Sequence, residues 1–265
     1  MTRRATSTGA SRIGQLAGVL LAVAAASLLS ACGGDSEPLT LKPAPARSGT
    51  PIDLDRPRDP SGAFAFDQWP RACGLLTDGE IKAVLPQIRK LRREADDQQI
   101  TINQPIIGGT PGVAPRDVTA VGVRCTVMLD LPDAGLKLDS GSFSNLLMTV
   151  EAAGSRGFVK QNFLVDRDHP IRTSKGRCYV QRSAAGVACI VGRLAFSISS
   201  SFSYHDIETT GDRRWTDRYE VGGMITKFSG LTGGSGPVPK ESQRTMQFRR
   251  DHLDIELAKI VLRKL

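Results

Sequence analysis

Residues 176–192 read GRCYVQRSAAGVACIVG, and the register of that stretch decides the fold class. If Cys178 lies opposite Cys189, then Val180 falls opposite Val187. Both pairs share one face, because side chains alternate along a strand. The turn is left to residues 182–185. Opposed Cα atoms in an antiparallel pair are ~4.5–5.5 Å apart, within the span of a disulfide. The stretch therefore reads as an antiparallel hairpin with a cross-strand disulfide. A third strand follows at 194–203, LAFSISSSFS, with Phe196, Ile198 and Ser200 on one face and Ala195, Ser197 and Ser199 on the other.

Working upstream, VTAVGVRCTVMLDL from Val118 is β-branched, alternates in part and stops before the turn signal Pro132-Asp133. NLLMTVEA, from Asn145 to Ala152, reads as another strand, and the spacing of Phe158, Val159, Phe163 and Leu164 predicts a helix over 155–165. Earlier still, CGLLTDGEIKAVLP starts a helix. Thr77 is a good N-cap, Glu80 stands three residues on as in a capping box, and Leu76 and Ile81 occupy hydrophobic-staple positions. Capping explains the Glu80 carboxylate better than catalysis does. Residues 87–116 read as polar and irregular. At the other end, Leu253, Leu257, Ile260, Val261 and Leu265 form the stripe of a terminal helix docked on the sheet. The fold class expected is α+β: an antiparallel sheet with helices packed on one face and two disulfides.

Between strand and terminal helix, residues 205–248 read as a long loop-rich insertion. Within it Arg213, Arg214, Trp215, Arg218 and Tyr219 interleave cations with aromatics. Such a cluster can hold anionic or sugar-containing ligands by ion pairing and stacking. The plainer reading is a tryptophan covering the core edge amid solvated arginines, since Asp212, Asp217 and Glu220 stand close by.

The N-terminus carries a different signal. Arg3, Arg4 and Arg12 precede an apolar run from Leu16 to Leu29, and Leu29-Ser30-Ala31-Cys32 then has the form of a bacterial lipobox. Fourteen apolar residues are too few to span a bilayer, which takes ~20. The expectation is a signal peptide over 1–31 and lipidation of Cys32, whose acyl chains at ~0.8 kcal/mol per buried CH₂ hold the chain to a membrane. Residues 32–62 are dense in Pro, Gly and Ser and read as a flexible tether, with a single domain over 63–265. Removing a leader with three arginines and no acid lowers the formal net charge from +8 to +5. The remaining charges are interspersed, which speaks against nucleic acid as a partner.

Five cysteines less Cys32 leave four, and three connectivities are open in principle. The hairpin favours Cys178 with Cys189, leaving Cys73 with Cys125. No CxxC occurs, and no histidine stands at ligand spacing from a cysteine, so neither a metal nor a cofactor is expected. His169, His205 and His252 are the whole histidine supply, and no GxSxG, SxxK or HExxH motif appears. No catalytic residue is assigned.

The lipobox, the Pro/Ser-rich segment, CGLLTDGEIKAVLP, the cysteine within VRCTVML and the ending LAKIVLRKL together resemble actinobacterial cell-surface lipoproteins of unknown function. Sensor ectodomains of actinobacterial kinases are similar in layout. The resemblance covers residues 64–203 and 250–265 and supplies no catalytic residues. The expectation is a lipid-anchored protein on the extracytoplasmic face of the cell membrane, a binding or sensory accessory module for a cell-wall polymer or envelope protein. The alternatives are an envelope hydrolase and a carrier for a hydrophobic small molecule.

Overall fold

The structure is a computed structural model that describes residues 37–47, 49–102, 116–132, 144–163, 169–181, 186–202, 206–207, 214–231 and 240–265, with the side chains of 116, 206, 207, 214, 215 and 231 left aside. Cys32, His205 and Arg213 lie outside these residues, as do the hairpin turn 182–185 and residues 103–115 and 232–239.

Seven antiparallel strands form the main sheet: β2 (Lys90–Ile102), β3 (Arg116–Asp130), β4 (Ser144–Ala153), β5 (Pro170–Ile171), β6 (Arg177–Gln181), β7 (Gly186–Val191) and β8 (Leu194–Ser201), in the order β2-β3-β4-β8-β7-β6-β5. The β6–β7 register is the expected one, Cys178 opposite Cys189 and Val180 opposite Val187. Cys178 is bonded to Cys189 and Cys73 to Cys125. Met148 stands opposite Cys125 and Ile198, so alternation places Cys125, Met148, Ile198 and Val187 on one face, the core face. All four are fully buried.

Helix α1 (Asp78–Val84) begins with the complete capping box: Thr77 Oγ1 accepts from Glu80 N and Glu80 Oε2 accepts from Thr77 N. A short turn, Ala72–Gly74, precedes it and carries Cys73 to the sheet. Helix α2 (Arg156–Asn162) is capped by Ser155 Oγ and follows directly on β4. The C-terminal helix is α3 (Lys240–Arg249), a π-segment at Arg250–Asp254 and α4 (Ile255–Arg263), with Leu257, Ile260 and Val261 buried.

Two readings of the sequence are corrected. Residues 87–116 are not irregular throughout, since Lys90–Ile102 is the thirteen-residue edge strand β2. It pairs along β3 while exposing most of its charged side chains, so it lacks the apolar alternation of a covered strand. Residues 205–248 are likewise no loop-rich insertion. They contain β9 (Asp206–Ile207), β10 (Arg214–Val221) and β11 (Met224–Leu231), which with β1 (Leu39–Leu41) make a second sheet, and then α3. Phe248 of α3 packs on Tyr219 and Phe228 at ring-centroid distances of 5.4 and 5.3 Å.

The tether is corrected as well, from residue 37 onward. Leu39 and Leu41 are buried, and β1 runs parallel to β10 with Leu39 level with Tyr219. Acceptors far along the sequence complete the backbone: Gln87 Oε1 accepts from Thr40 N at 2.7 Å, Glu256 Oε2 accepts from Ala44 N at 2.8 Å, and the Lys264 carbonyl accepts from Ile52 N at 3.0 Å. Long-range partners supply the burial that composition alone does not promise. Residues 37–265 form one compact unit.

Candidate functional site: a basic groove and a buried carboxylate

Strand alternation sends Tyr179 to the sheet face opposite Cys178. Phe163, at the C-cap of α2, meets it there with ring centroids 6.4 Å apart. A groove of about 470 Å³ opens between these elements, with Arg156 and Lys160 on the α2 side and Arg177 on the β6 side. Its floor includes Tyr179, Ile190 and Val191. Gly176 makes the close approach possible. Its φ is +69°, and a Cβ there would sit 2.6 Å from Ile190 O and 2.8 Å from Val191 Cβ.

Arg156 and Lys160 are i and i+4 on one helix, a like-charge pair that disfavours the helix slightly. Arg177 adds a third cation across the groove. All three are exposed, and none makes an ion pair with a described carboxylate. Glu151 is not their counterion, because it accepts the Ser197 hydroxyl at 2.5 Å. Burial raises its pKa, with the Ser197 hydrogen bond pulling the other way. An open depression with three cations and an aliphatic-aromatic floor can attract an anion and hold an apolar portion beside it.

A second polar cluster lies inside the protein, where α3 and the π-segment cross both sheets. Tyr219 Oη donates to Asp217 Oδ2 at 2.9 Å, and Arg249 Nη1 lies 3.7 Å from the same oxygen. The Arg249 guanidinium also stands over Phe202 at 5.4 Å. The extra residue of the π-segment aims Asp254 inward, where it is fully buried. Among the described residues neither oxygen of Asp254 has a hydrogen-bond partner in good geometry, and Ser200 Oγ and Arg249 Nε are equally unsatisfied. Burial pushes the Asp254 carboxyl up to about 7, against the opposing pull of nearby Ser200 and Arg249. Asp254 is fully buried and lines neither the groove nor the depression between Thr50 and Leu75, so the groove is the better candidate for binding.

Of the proposed cation–aromatic cluster, only the side chains of Arg218 and Tyr219 are described, and those two do not share a surface. Arg213 and the side chains of Arg214 and Trp215 fall outside the described residues. Arg218 and Tyr219 are neighbours on β10, not on a loop, and therefore face opposite ways. Tyr219 is 0% exposed and belongs to the core, while Arg218 is half-buried on the other face. Asp217, named from the sequence as a nearby acid, is buried too.

The groove cations were legible in SRGFVKQNF as two positive charges four apart with no acid between them. Their meeting with Arg177 depends on how α2 folds back, and that has no local signature. His252 stacks on Phe248 at 4.4 Å, and no group of three metal-ligating side chains occurs among the described residues. No described helix is long and apolar enough to cross a membrane. Comparison with known protein families, with curated proteins and with solved structures finds no match for this chain.

Proposed function

We propose that the protein is an accessory binding module of the cell envelope, anchored through a lipidated Cys32 on the extracytoplasmic face of the membrane, with the groove between α2 and β6–β7 as its ligand site. The observation that carries the binding reading is the trio Arg156, Lys160 and Arg177 around one depression, with no ion-pair partner among the described residues. Two disulfides suit an oxidising compartment, and the leader ending at Cys32 suits export and acylation. The resemblance to actinobacterial surface lipoproteins points the same way. The groove fits an anionic envelope component in preference to a neutral one.

Two measurements test this. Mass spectrometry of the N-terminal peptide from native membranes is expected to find an acylated Cys32, and an intact leader would overturn the anchor. Native mass spectrometry of the purified chain is expected to retain an anionic molecule that Arg156→Ala/Lys160→Ala/Arg177→Ala loses. Equal retention by that variant would remove the groove from the proposal.

A further inference from the structure

We infer that the groove takes an amphiphilic phosphate: a phosphoryl head held among Arg156, Lys160 and Arg177, with an aliphatic or ring-bearing substituent laid along Tyr179, Ile190 and Val191. The inference rests on the groove reading above and names its ligand class.

The head is argued from the cations. They approach from two walls, α2 and β6, so a planar carboxylate with two oxygens in one plane matches them poorly. A tetrahedral phosphate monoester presents three charged oxygens in different directions. Arginine suits phosphate through its forked donors and lysine as a compact point charge. The apolar portion is argued from the floor. Ile190 and Val191 are half-buried and packed against the core cluster, and Tyr179 is buried within it, in ring contact with Phe163. The side chains therefore form a fixed surface and not a mobile fringe. A fully hydrated anion would leave that surface wet, whereas an alkyl or ring substituent covers it.

The test titrates the mature full-length chain with three probes: inorganic phosphate, hexyl phosphate and hexanol. Hexyl phosphate is expected to bind at least about tenfold more tightly than inorganic phosphate, as even partial burial of a six-carbon chain implies. Hexanol is expected to bind more weakly than hexyl phosphate by at least about the same factor. Lys160→Glu, an exposed change, is expected to weaken both anions. Val191→Ser is expected to shrink the advantage of hexyl phosphate over inorganic phosphate while leaving inorganic phosphate unchanged.

Equal affinity for the two phosphates would overturn the amphiphilic ligand and leave an anion-binding groove standing. Hexanol binding as well as hexyl phosphate would overturn the phosphoryl head. Binding of none of the three would overturn this inference together with the groove reading. Competition by short-chain phosphatidic acid in bicelles would assign the head to a lipid, and competition by soluble hexyl phosphate alone would assign it to a free metabolite. Either result supports the shared chemistry.

Discussion

Lys264 Nζ lies 2.8 Å from Glu80 Oε2, an ion pair between residues 184 apart in sequence, with both partners buried. The same carboxylate accepts from Thr77 N, its other oxygen accepts from Gly49 N at 2.7 Å, and Lys264 also donates to Leu75 O. One glutamate thus joins the first helix, the N-terminal segment and the last helix.

The two partners are not equivalent. Without Lys264, Glu80 keeps two backbone donors. Without the Glu80 charge, Lys264 keeps one carbonyl. Glu80→Gln is expected to cost about 3–5 kcal/mol, and Lys264→Met about 1–3 kcal/mol. Urea unfolding at pH 7 checks the order. Equal losses would show that the pair acts only as a pair.

Stability is expected to peak at mildly acidic pH. For Glu80, burial raises the pKa but the bonds from Lys264, Thr77 and Gly49 outweigh it and hold the group below 4.5. Its contribution is present above that ordinary value and lost as pH falls through the lowered one. For Asp254, the raised pKa means the opposite. Stability is greatest below 3.8 and declines as pH rises toward about 7. Asp254→Asn is expected to flatten the alkaline side, with a gain of about 1–3 kcal/mol at pH 8 over the native chain. Thermal unfolding across pH 4–9 measures both limbs. A native curve already flat above pH 5 would mean that Asp254 finds a partner in solution.

The two disulfides are expected to open in sequence. Cys73 is half-exposed, whereas Cys178, Cys189 and Cys125 are buried. Mild reductant should therefore reach Cys73–Cys125 first. The loops closed span 52 and 11 residues, so loss of the bridges is expected to cost ~4 and ~3 kcal/mol respectively. Timed alkylation with peptide mapping reads the order, and the reverse order would mean that the hairpin opens more readily than the Cys73 turn.

Gly176→Ala is expected to destabilise the β6–β7 hairpin by about 1–3 kcal/mol. The substitution combines a φ of +69° with a Cβ driven against Ile190 O. Weaker hexyl phosphate binding is expected alongside, because Val191 must shift. Denaturation and titration of one sample check both.

What the sequence revealed, and what it hid, divides along the range of the interactions. The β6–β7 register, the Thr77–Glu80 box and the stripe from Leu253 to Leu265 are set by neighbours a few residues away, and periodicity exposes them. The cysteine pairing followed once that register was fixed. Strand β10 was hidden because Asp217 occupies an inward position, a charge that Arg249 and Tyr219 balance from other elements. Strand β1 was hidden because three residues among prolines become a strand only when Tyr219–Val221 are beside them. The groove shares this difficulty, since α2 and β6 each look ordinary alone.

The pairing of β1 with β10 also shortens a leash. A flexible stretch from Cys32 to residue 62 would extend to roughly 100 Å, whereas only Gly33 to Ser36 separate Cys32 from Glu37, a reach of roughly 17 Å. If the acyl chains sit on Cys32, the folded body skims the bilayer and does not roam the wall. On that anchor, molecules that partition into the membrane would be the ones within its reach.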